Sequence, residues 1–417
     1  MGEEQEKKVV CLQPEYVGKF QCDGAACNSK CCRGWGVDID GPTYQRYCTI
    51  EPKDERKRIV SRIKYKKQQG KFFVAMNKDG ACPFLRSDGL CKIQKTWGAD
   101  WLSNTCTIYP RTMYLVGNLL LRGLVLTCPV AAKLALLPKE PMIFEEVPLP
   151  TEEWEMLMRR SGGRLAKVGD GILDIQYGAI SILQNRALTI DQRLIVLGFF
   201  LDQAGDMVEA GETEKIEVLS AVYTADDFME RVPEMLQAIT FRPVEYVKSM
   251  FGLIETLYGK KSEFWGRENA LMKRLVHAFG MEKGEIPLTF LLETYRDSFR
   301  PAEEKLLREY GYIFENYLVN EFFMNHYPLV IAGTIVQNYI LFVMDYKLLE
   351  FMAVVSAMED GEKTDEESVI KTIVHMVAPL DHSRDFLTSL ANDTLKRQKD
   401  VVSCMKNLLC AGDEYSA

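Results

Sequence analysis

Twelve cysteines stand in a chain of 417 residues, and eight of them fall in tight sequence contexts. Cys22, Cys27, Cys31 and Cys32 lie together in FQCDGAACNSKCCRGWGVDID, which runs from Phe20 to Asp40. Cys82 and Cys91 share ACPFLRSDGLCKIQ, Cys106 lies in LSNTCTIYPRTMY and Cys128 in LVLTCPVAAKLAL. Thiolates are soft ligands, suited to zinc or to iron–sulfur clusters. Gly24, Gly34 and Gly36 let the backbone fold back around an ion or a cluster. Closely spaced cysteines let one turn supply several ligands at little extra ordering cost.

The gaps discriminate between metals. They are four residues from Cys22 to Cys27, three from Cys27 to Cys31, none from Cys31 to Cys32 and eight from Cys82 to Cys91. Zinc ribbons present paired C-x2–4-C knuckles instead. The first histidine is His277, so a mixed Cys/His zinc site in the N-terminal part is excluded. An all-thiolate centre remains: iron–sulfur is the better reading, zinc the alternative, and reduced cysteines used as small buried hydrophobes the plainest one. Cys82-Pro83 and Cys128-Pro129 are similar to the Cys-Pro pairs beside cluster ligands in ferredoxins. The radical-type C-x3-C-x2-C spacing is not met, because Gly34 stands where its third cysteine belongs. Cys11 and Cys48 fall outside the motifs, and Cys404 and Cys410 read as packing or surface thiols.

Cysteine usage also divides the chain. No cysteine occurs from Pro129 to Ser403. The expected organisation is a Cys-rich metal-binding domain over residues 1–137, a Pro-rich linker over 138–152 and a helical domain over 153–417. The fold class is mainly α, with few or no strands in the N-terminal domain. TIDQRLIVLGFFLDQAGDMVEAGE opens on the capping candidate Thr189, and PAEEKLLREYGYIFENYLVNEFF opens on Pro301 followed by two glutamates. Further helical spacing recurs near 172–185, 243–258, 287–299, 327–356, 366–377 and 382–410.

A net charge of −8 argues against a nucleic-acid binder and fits a basic, lysine-bearing protein partner. The N-terminus lacks an apolar core long enough for a signal peptide. Pro328–Met344 is too short and too polar to span a membrane. The expectation is a cytoplasmic protein, where structural disulfides are rare and clustered cysteines mean metal or redox chemistry.

LQPEYVGKFQCDGAACNSKCCRGWGVDIDGPTYQRY, CPFLRSDGLCKIQKTWGADWLSNTCTIYPR and LTCPVAAKLALL resemble the flagellin lysine N-methylase family, and more distantly the cysteine-cluster proteins labelled zinc- or iron-chelating. FENYLVNEFFMNHYPL and PLDHSRDFLTSL look like the helical C-terminal segments of the same family. The resemblance implies transfer of methyl groups from S-adenosylmethionine to lysine side chains of flagellin, with an iron–sulfur cluster, 4Fe-4S in type. It also implies that Cys22, Cys27, Cys31, Cys32, Cys82, Cys91, Cys106 and Cys128 are the metal residues. Eight thiols exceed the four ligands of one cluster, so either two centres exist or some cysteines are structural.

No G-x-G-x-x-G follows an expected strand, so the usual nucleotide-binding methyltransferase fold is not visible. SGGRLAKVGDGILD reads as a loop. Candidate cofactor contacts are Arg111, which can hold a carboxylate, and Trp35, which can stack on adenine or shield a metal. Asn316 and Asn320 share a helix face, and His382 stands in DHSRDF, read as a helix start. Each has a plain counterpart: an ion pair, a core residue, a buried polar network, a capped helix. The catalytic base is left open, with His382 as one candidate. Two other functions compete: a non-enzymatic metal-binding or redox-sensing module with a helical partner-binding domain, and a methylase acting on another protein.

Overall fold

The computed structural model describes residues 10–27, 30–33, 36–68, 70–116, 119–149, 171–237, 242–259, 269–281, 286–325, 333–382, 387–389, 391 and 401–409. The chain forms two compact units, Met1–Leu134 with Phe144–Ala166, and Ala135–Ile143 with Lys167–Ala417.

The first unit holds, in order, β1 (Val10–Pro14), β2 (Asp38–Ile39), α1 (Gly41–Tyr47), α2 (Lys53–Val60), β3 (Ile63–Lys66), β4 (Lys71–Val74), α3 (Lys92–Trp97), α4 (Asn104–Ile108), β5 (Arg111–Val116), β6 (Leu119–Leu124), the start of α5 (Pro129–Leu136) and β7 (Phe144–Pro148). The expectation of few or no strands is thus corrected. Two sheets form, ordered β5-β6-β1-β7 and β2-β4-β3. Their strands are short, and β1 pairs in parallel with β6, Val10 opposite Leu119. So distant a partner leaves no mark in local periodicity. The stretch 138–152, expected as a linker, contributes β7, which closes the first sheet antiparallel to β1. Buried Gln13 bridges that sheet: its amide nitrogen donates to Glu145 at 2.7 Å, and its oxygen accepts from Arg122 at 2.7 Å. Cys11, fully buried against Leu120, is a packing residue. The second sheet covers a core of Val37, Ile39, Tyr47, Ile59, Phe84 and Ile93, against which Cys32, Cys82 and Cys91 also pack.

The second unit is helical in its described part: α6 (Ile172–Leu183), α7 (Ile190–Ala210), α8 (Ile216–Thr224), α9 (Asp226–Leu236), α10 (Pro243–Gly259), α11 (Ala270–Ala278), α12 (Leu288–Thr294), α13 (Arg300–Met324), α14 (Ile335–Asp360), α15 (Glu366–His382) and α16 (Val401–Leu408). The helix over Thr189 onward forms as expected, and Thr189 and Gln192 make a reciprocal capping box. The helix near Pro301 begins one residue earlier and bends at Tyr310, whose φ of −126° and ψ of 15° leave the helical region. The last helices differ from expectation. α15 continues to His382, and the rest of DHSRDF, residues 383–386, lies outside the described residues.

α14 organises this unit. Every residue from Asn338 to Ser356 is buried, the pattern of a helix enclosed by other helices. α7 approaches it closely at Gly198, where a Cβ would come within 2.7 Å of the Tyr339 ring. The Tyr339 hydroxyl donates to the Leu194 carbonyl at 2.8 Å. Phe351 stacks on Phe299 and Phe279, at centroid distances of 4.7 and 5.8 Å. No described helix is long and apolar enough to cross a membrane.

Total enclosure of α14 forces its charged residues to find partners inside. Lys347, 2% exposed, meets Asp191 at 3.2 Å and pairs with Glu350, itself 0% exposed. Its ammonium also lies over the Tyr246 and Tyr346 rings, 5.7 and 5.8 Å from their centroids. Burial alone would lower the Lys347 pKa, yet the Asp191 and Glu350 carboxylates hold it well above the usual lysine value. Removing one partner of such a group strands the other charges. Lys347→Met is therefore expected to lower the unfolding free energy by roughly 3–5 kcal/mol. A urea melt checks this; a loss below about 1 kcal/mol would show that Asp191 and Glu350 do not depend on the ammonium.

Candidate metal centre

Short turns and helix starts carry most of the N-terminal thiols. Gly24, at φ 64°, starts the turn that carries Cys27, and a Cβ there would press on Leu90 at 3.3 Å. The first cysteine loop therefore lies against the residue that precedes Cys91. The Cys82 amide donates to the Cys32 carbonyl at 2.8 Å, and Arg33 bridges to Ala81. Leu85 bridges to Cys91, and the Lys92 amide donates to the Phe84 carbonyl at 2.7 Å. Backbone bonds thus tie the Cys31-Cys32 turn to the Cys82 turn, and that turn to Cys91 at the start of α3.

α4, which carries Cys106, is fastened by side chains. Ser103 caps it, its hydroxyl accepting from the Cys106 amide at 3.3 Å. One oxygen of Asp40 caps α1 by accepting from the Thr43 amide at 3.0 Å, and the other accepts from the Asn104 amide at 2.9 Å. The Tyr47 hydroxyl donates to the Trp101 carbonyl at 2.8 Å. Asp40, Tyr47 and Ser103 were missed as positioning residues. Asp40 and Ser103 carry readable cap signals, D-G-P-T and S-N-T-C.

Local backbone also points at the sulfurs. Cys82 receives hydrogen bonds from the Phe84 and Leu85 amides, Cys91 from Ile93 and Gln94, and Cys128 from Val130 and Ala131. Each is the pattern of a thiol at the start of a turn, with the N–H groups two and three residues on aimed at it. Such bonds favour thiolate and tune sulfur ligands of metal centres.

Mutual charge links the thiols in two groups that meet at Tyr109, on which Cys128, Cys31 and Cys27 all act. Burial and then the neighbouring thiols Cys91 and Cys106 push Cys82 up to about 12. Burial is also the first cause that raises Cys106 to about 11, with Cys91 and Cys31 adding repulsion, although its own surface is exposed. Cys31 and Cys32 stand 3.8 Å apart, sulfur to sulfur. The Cys32 thiol holds the shared proton, which brings Cys31 down to about 7 and raises Cys32, on which Cys82 and Cys91 also act. Cys31, Cys32, Cys82, Cys91 and Cys106 form one group. Cys128, raised to about 11 by burial and then by Cys27 and Cys22, belongs to the other. No lysine or arginine is among the main influences on Cys31, Cys32, Cys82, Cys91 or Cys106. All eight are free thiols. Among the described residues, no three His, Cys, Asp or Glu side chains are gathered tightly enough to hold one metal ion.

The expected cofactor contacts fall in separate elements. Trp35 lies outside the described residues. Arg111 opens β5 with its guanidinium 5.1 Å from the Phe20 ring centroid. Asn316, buried in α13, donates to the Leu136 and Pro138 carbonyls at 3.3 and 2.8 Å, so it anchors the 135–143 segment. Asn320 is fully buried one turn further on. His382 ends α15, and of SGGRLAKVGDGILD only residues 171–174 are described.

A family profile described as FliB lysine N-methylase C-terminal domain matches residues 177–410. Over 128 residues the chain is 34% identical to the Lysine-N-methylase of Salmonella typhimurium, and 34% to the flagellar biosynthetic protein FliU of Salmonella muenchen. Each match covers 30% of this chain; it spans 31% of the former protein and 75% of the latter. A second Lysine-N-methylase, from Salmonella choleraesuis, matches to the same extent. No solved structure matches.

Asp40 gives the positioning scaffold a pH dependence. Burial would raise its pKa, but the Asn104 and Thr43 amides bring it below the ordinary aspartate value. A depressed carboxyl stabilises the fold above its unfolded pKa and loses that contribution as pH falls. The expected result is a loss of stability below about pH 4 that Asp40→Asn, about 1 kcal/mol less stable at neutral pH, does not share. Thermal melts across the acid range test this; parallel curves for both chains would overturn it.

Proposed function

The chain belongs to the FliB lysine N-methylase family, and from that membership we propose that it transfers methyl groups from S-adenosylmethionine to lysine side chains of a protein, flagellin first among candidates. The reading includes an iron–sulfur centre, 4Fe-4S in type, held by N-terminal thiols, and places the enzyme in the cytoplasm. One observation carries the metal part: five free thiols from four segments act electrostatically on one another, with no lysine or arginine among their main influences. Thiols that repel one another once ionised stay protonated, and a cation among them would stabilise their thiolates. A cluster spreads its ligand sulfurs over a larger volume than a single ion does. That suits thiols that perturb one another yet do not close on one ion. The group Cys31, Cys32, Cys82, Cys91 and Cys106 would supply the ligands of one centre, and Cys22, Cys27 and Cys128 those of a second, smaller one.

A bound cluster would supply iron that offsets the thiolate charge and a redox-active group. The chain's own task is polar. The lysine nitrogen forms a bond to the methyl carbon while the carbon–sulfur bond breaks, and that electron pair stays on the departing thioether. The amine must first lose its proton, and nitrogen, carbon and sulfur must lie in line. The net charge of −8 favours approach of a lysine-rich surface.

Iron, sulfide and zinc are measured on anaerobically purified protein. Iron with sulfide is expected, lost in Cys82→Ser and Cys91→Ser and kept in Cys48→Ser, since Cys48 is an exposed thiol outside both groups. Partial loss in Cys128→Ser would mark a second centre. Zinc without iron would turn the thiols into a structural clasp. The same protein, given S-adenosylmethionine and flagellin, is expected to add methyl masses to lysines by mass spectrometry. Metal without methylation on any protein would favour the sensing module instead.

A further inference from the structure

A cavity of about 740 Å³ opens in the helical unit beside the bend of α13, within the range of small-molecule sites. Four arginines line it: Arg186, Arg193, Arg300 and Arg308. Four carboxylates face them: Asp191, Glu303, Glu304 and Glu315. Equal numbers argue against a polyanion such as a nucleotide phosphate chain, which would meet as many negative groups as positive ones.

The charges are segregated along α13. At one end Glu315, 2% exposed, accepts two guanidiniums: Arg186 chelates it with bonds of 2.9 to 3.1 Å, and Arg193 donates at 2.8 Å. That end carries one cation in excess. The other end lies twelve residues away, about 18 Å along a helix. There Glu303 and Glu304 share Arg300, and Glu303 acts on the Lys347–Asp191–Glu350 cluster. Burial raises the Glu350 pKa to about 7, and even without it Glu303, Glu304 and Asp191 outnumber Arg300 and Lys347, which leaves that end negative. Glu315, Arg193 and Glu303 are buried, which strengthens the field they set, while Arg186 and Glu304 reach solvent.

Between the poles lie the groups a ligand would touch. Arg308 is exposed to the cavity and has no hydrogen-bond or ion-pair partner among the described residues. Gly311, one residue past the bend, also lines it, and a Cβ there would meet nothing within 4 Å. A glycine inside a helix costs stability, and here it leaves the cavity wall open. Leu307 and the Tyr312 ring add apolar surface.

We propose that this cavity binds a small zwitterion with an α-amino-acid head, its carboxylate on Arg308 and its cationic group toward Glu303 and Glu304. Two sources share that chemistry: S-adenosylmethionine, which carries both an ammonium and a sulfonium, and a free amino acid such as lysine. The first source rests on the methylase reading above; the cavity's charge pattern does not.

Calorimetric titration of the full chain with S-adenosylmethionine, and separately with free lysine, decides between them. Wild type is expected to bind the methyl donor. Arg308→Ala, which removes a charged donor, and Gly311→Leu, which fills the open wall, are each expected to weaken binding at least roughly tenfold. Unchanged thermal midpoints would show that both variants fold. Lysine bound by wild type and lost in both variants supports the zwitterion site with the second source. Donor bound equally by all three chains overturns the site and leaves the methylase reading intact. Neither ligand bound by wild type overturns the proposal, and the methylation assay then judges the function alone.

Discussion

A charge removed from water must meet its opposite, and both units of this chain are arranged around that constraint. In the helical unit α14 is enclosed on every side, so Lys347 and Glu350 have no solvent to turn to. The fold answers with Asp191 from α7, the faces of Tyr246 and Tyr346, and a Tyr346 hydroxyl donated to Glu350 at 2.9 Å. Glu315 meets the same demand by drawing Arg186 and Arg193 from the α6–α7 corner. These pairs fix how α7, α13 and α14 stand together, and they set the polarity of the cavity beside them.

The N-terminal unit poses the problem with the opposite outcome. Its crowded thiols carry no lysine or arginine among their main influences. Backbone amides aimed at Cys82, Cys91 and Cys128 favour thiolate, while burial and repulsion disfavour it. A metal centre reconciles the two demands, which is why the proposed function places the cluster there.

Much of the helical unit was legible because its signals are local. Thr189 with Gln192 is a capping box in four residues, and the long apolar spacing after it needs only one helix to be read. The sheets were not legible. β1 needs β6, more than a hundred residues away, and β7 was hidden in a Pro-rich stretch that reads as a linker. α15 runs past the expected residue 377 because Asp381, read as a cap, is itself helical. Asn316 looked like a pocket residue, and its partners, the Leu136 and Pro138 carbonyls, lie about 180 residues before it.

The sequence by itself determined the family, the free-thiol chemistry and the helical character of the larger unit. Those follow from residue type, spacing and short-range periodicity. Only the tertiary structure decided which thiols neighbour one another, that the strands between them form two sheets, and that Arg308 and Gly311 share a cavity with Glu303. Such facts depend on non-local pairing and on compensation of buried charge, and neither has a signature within a window of a few residues.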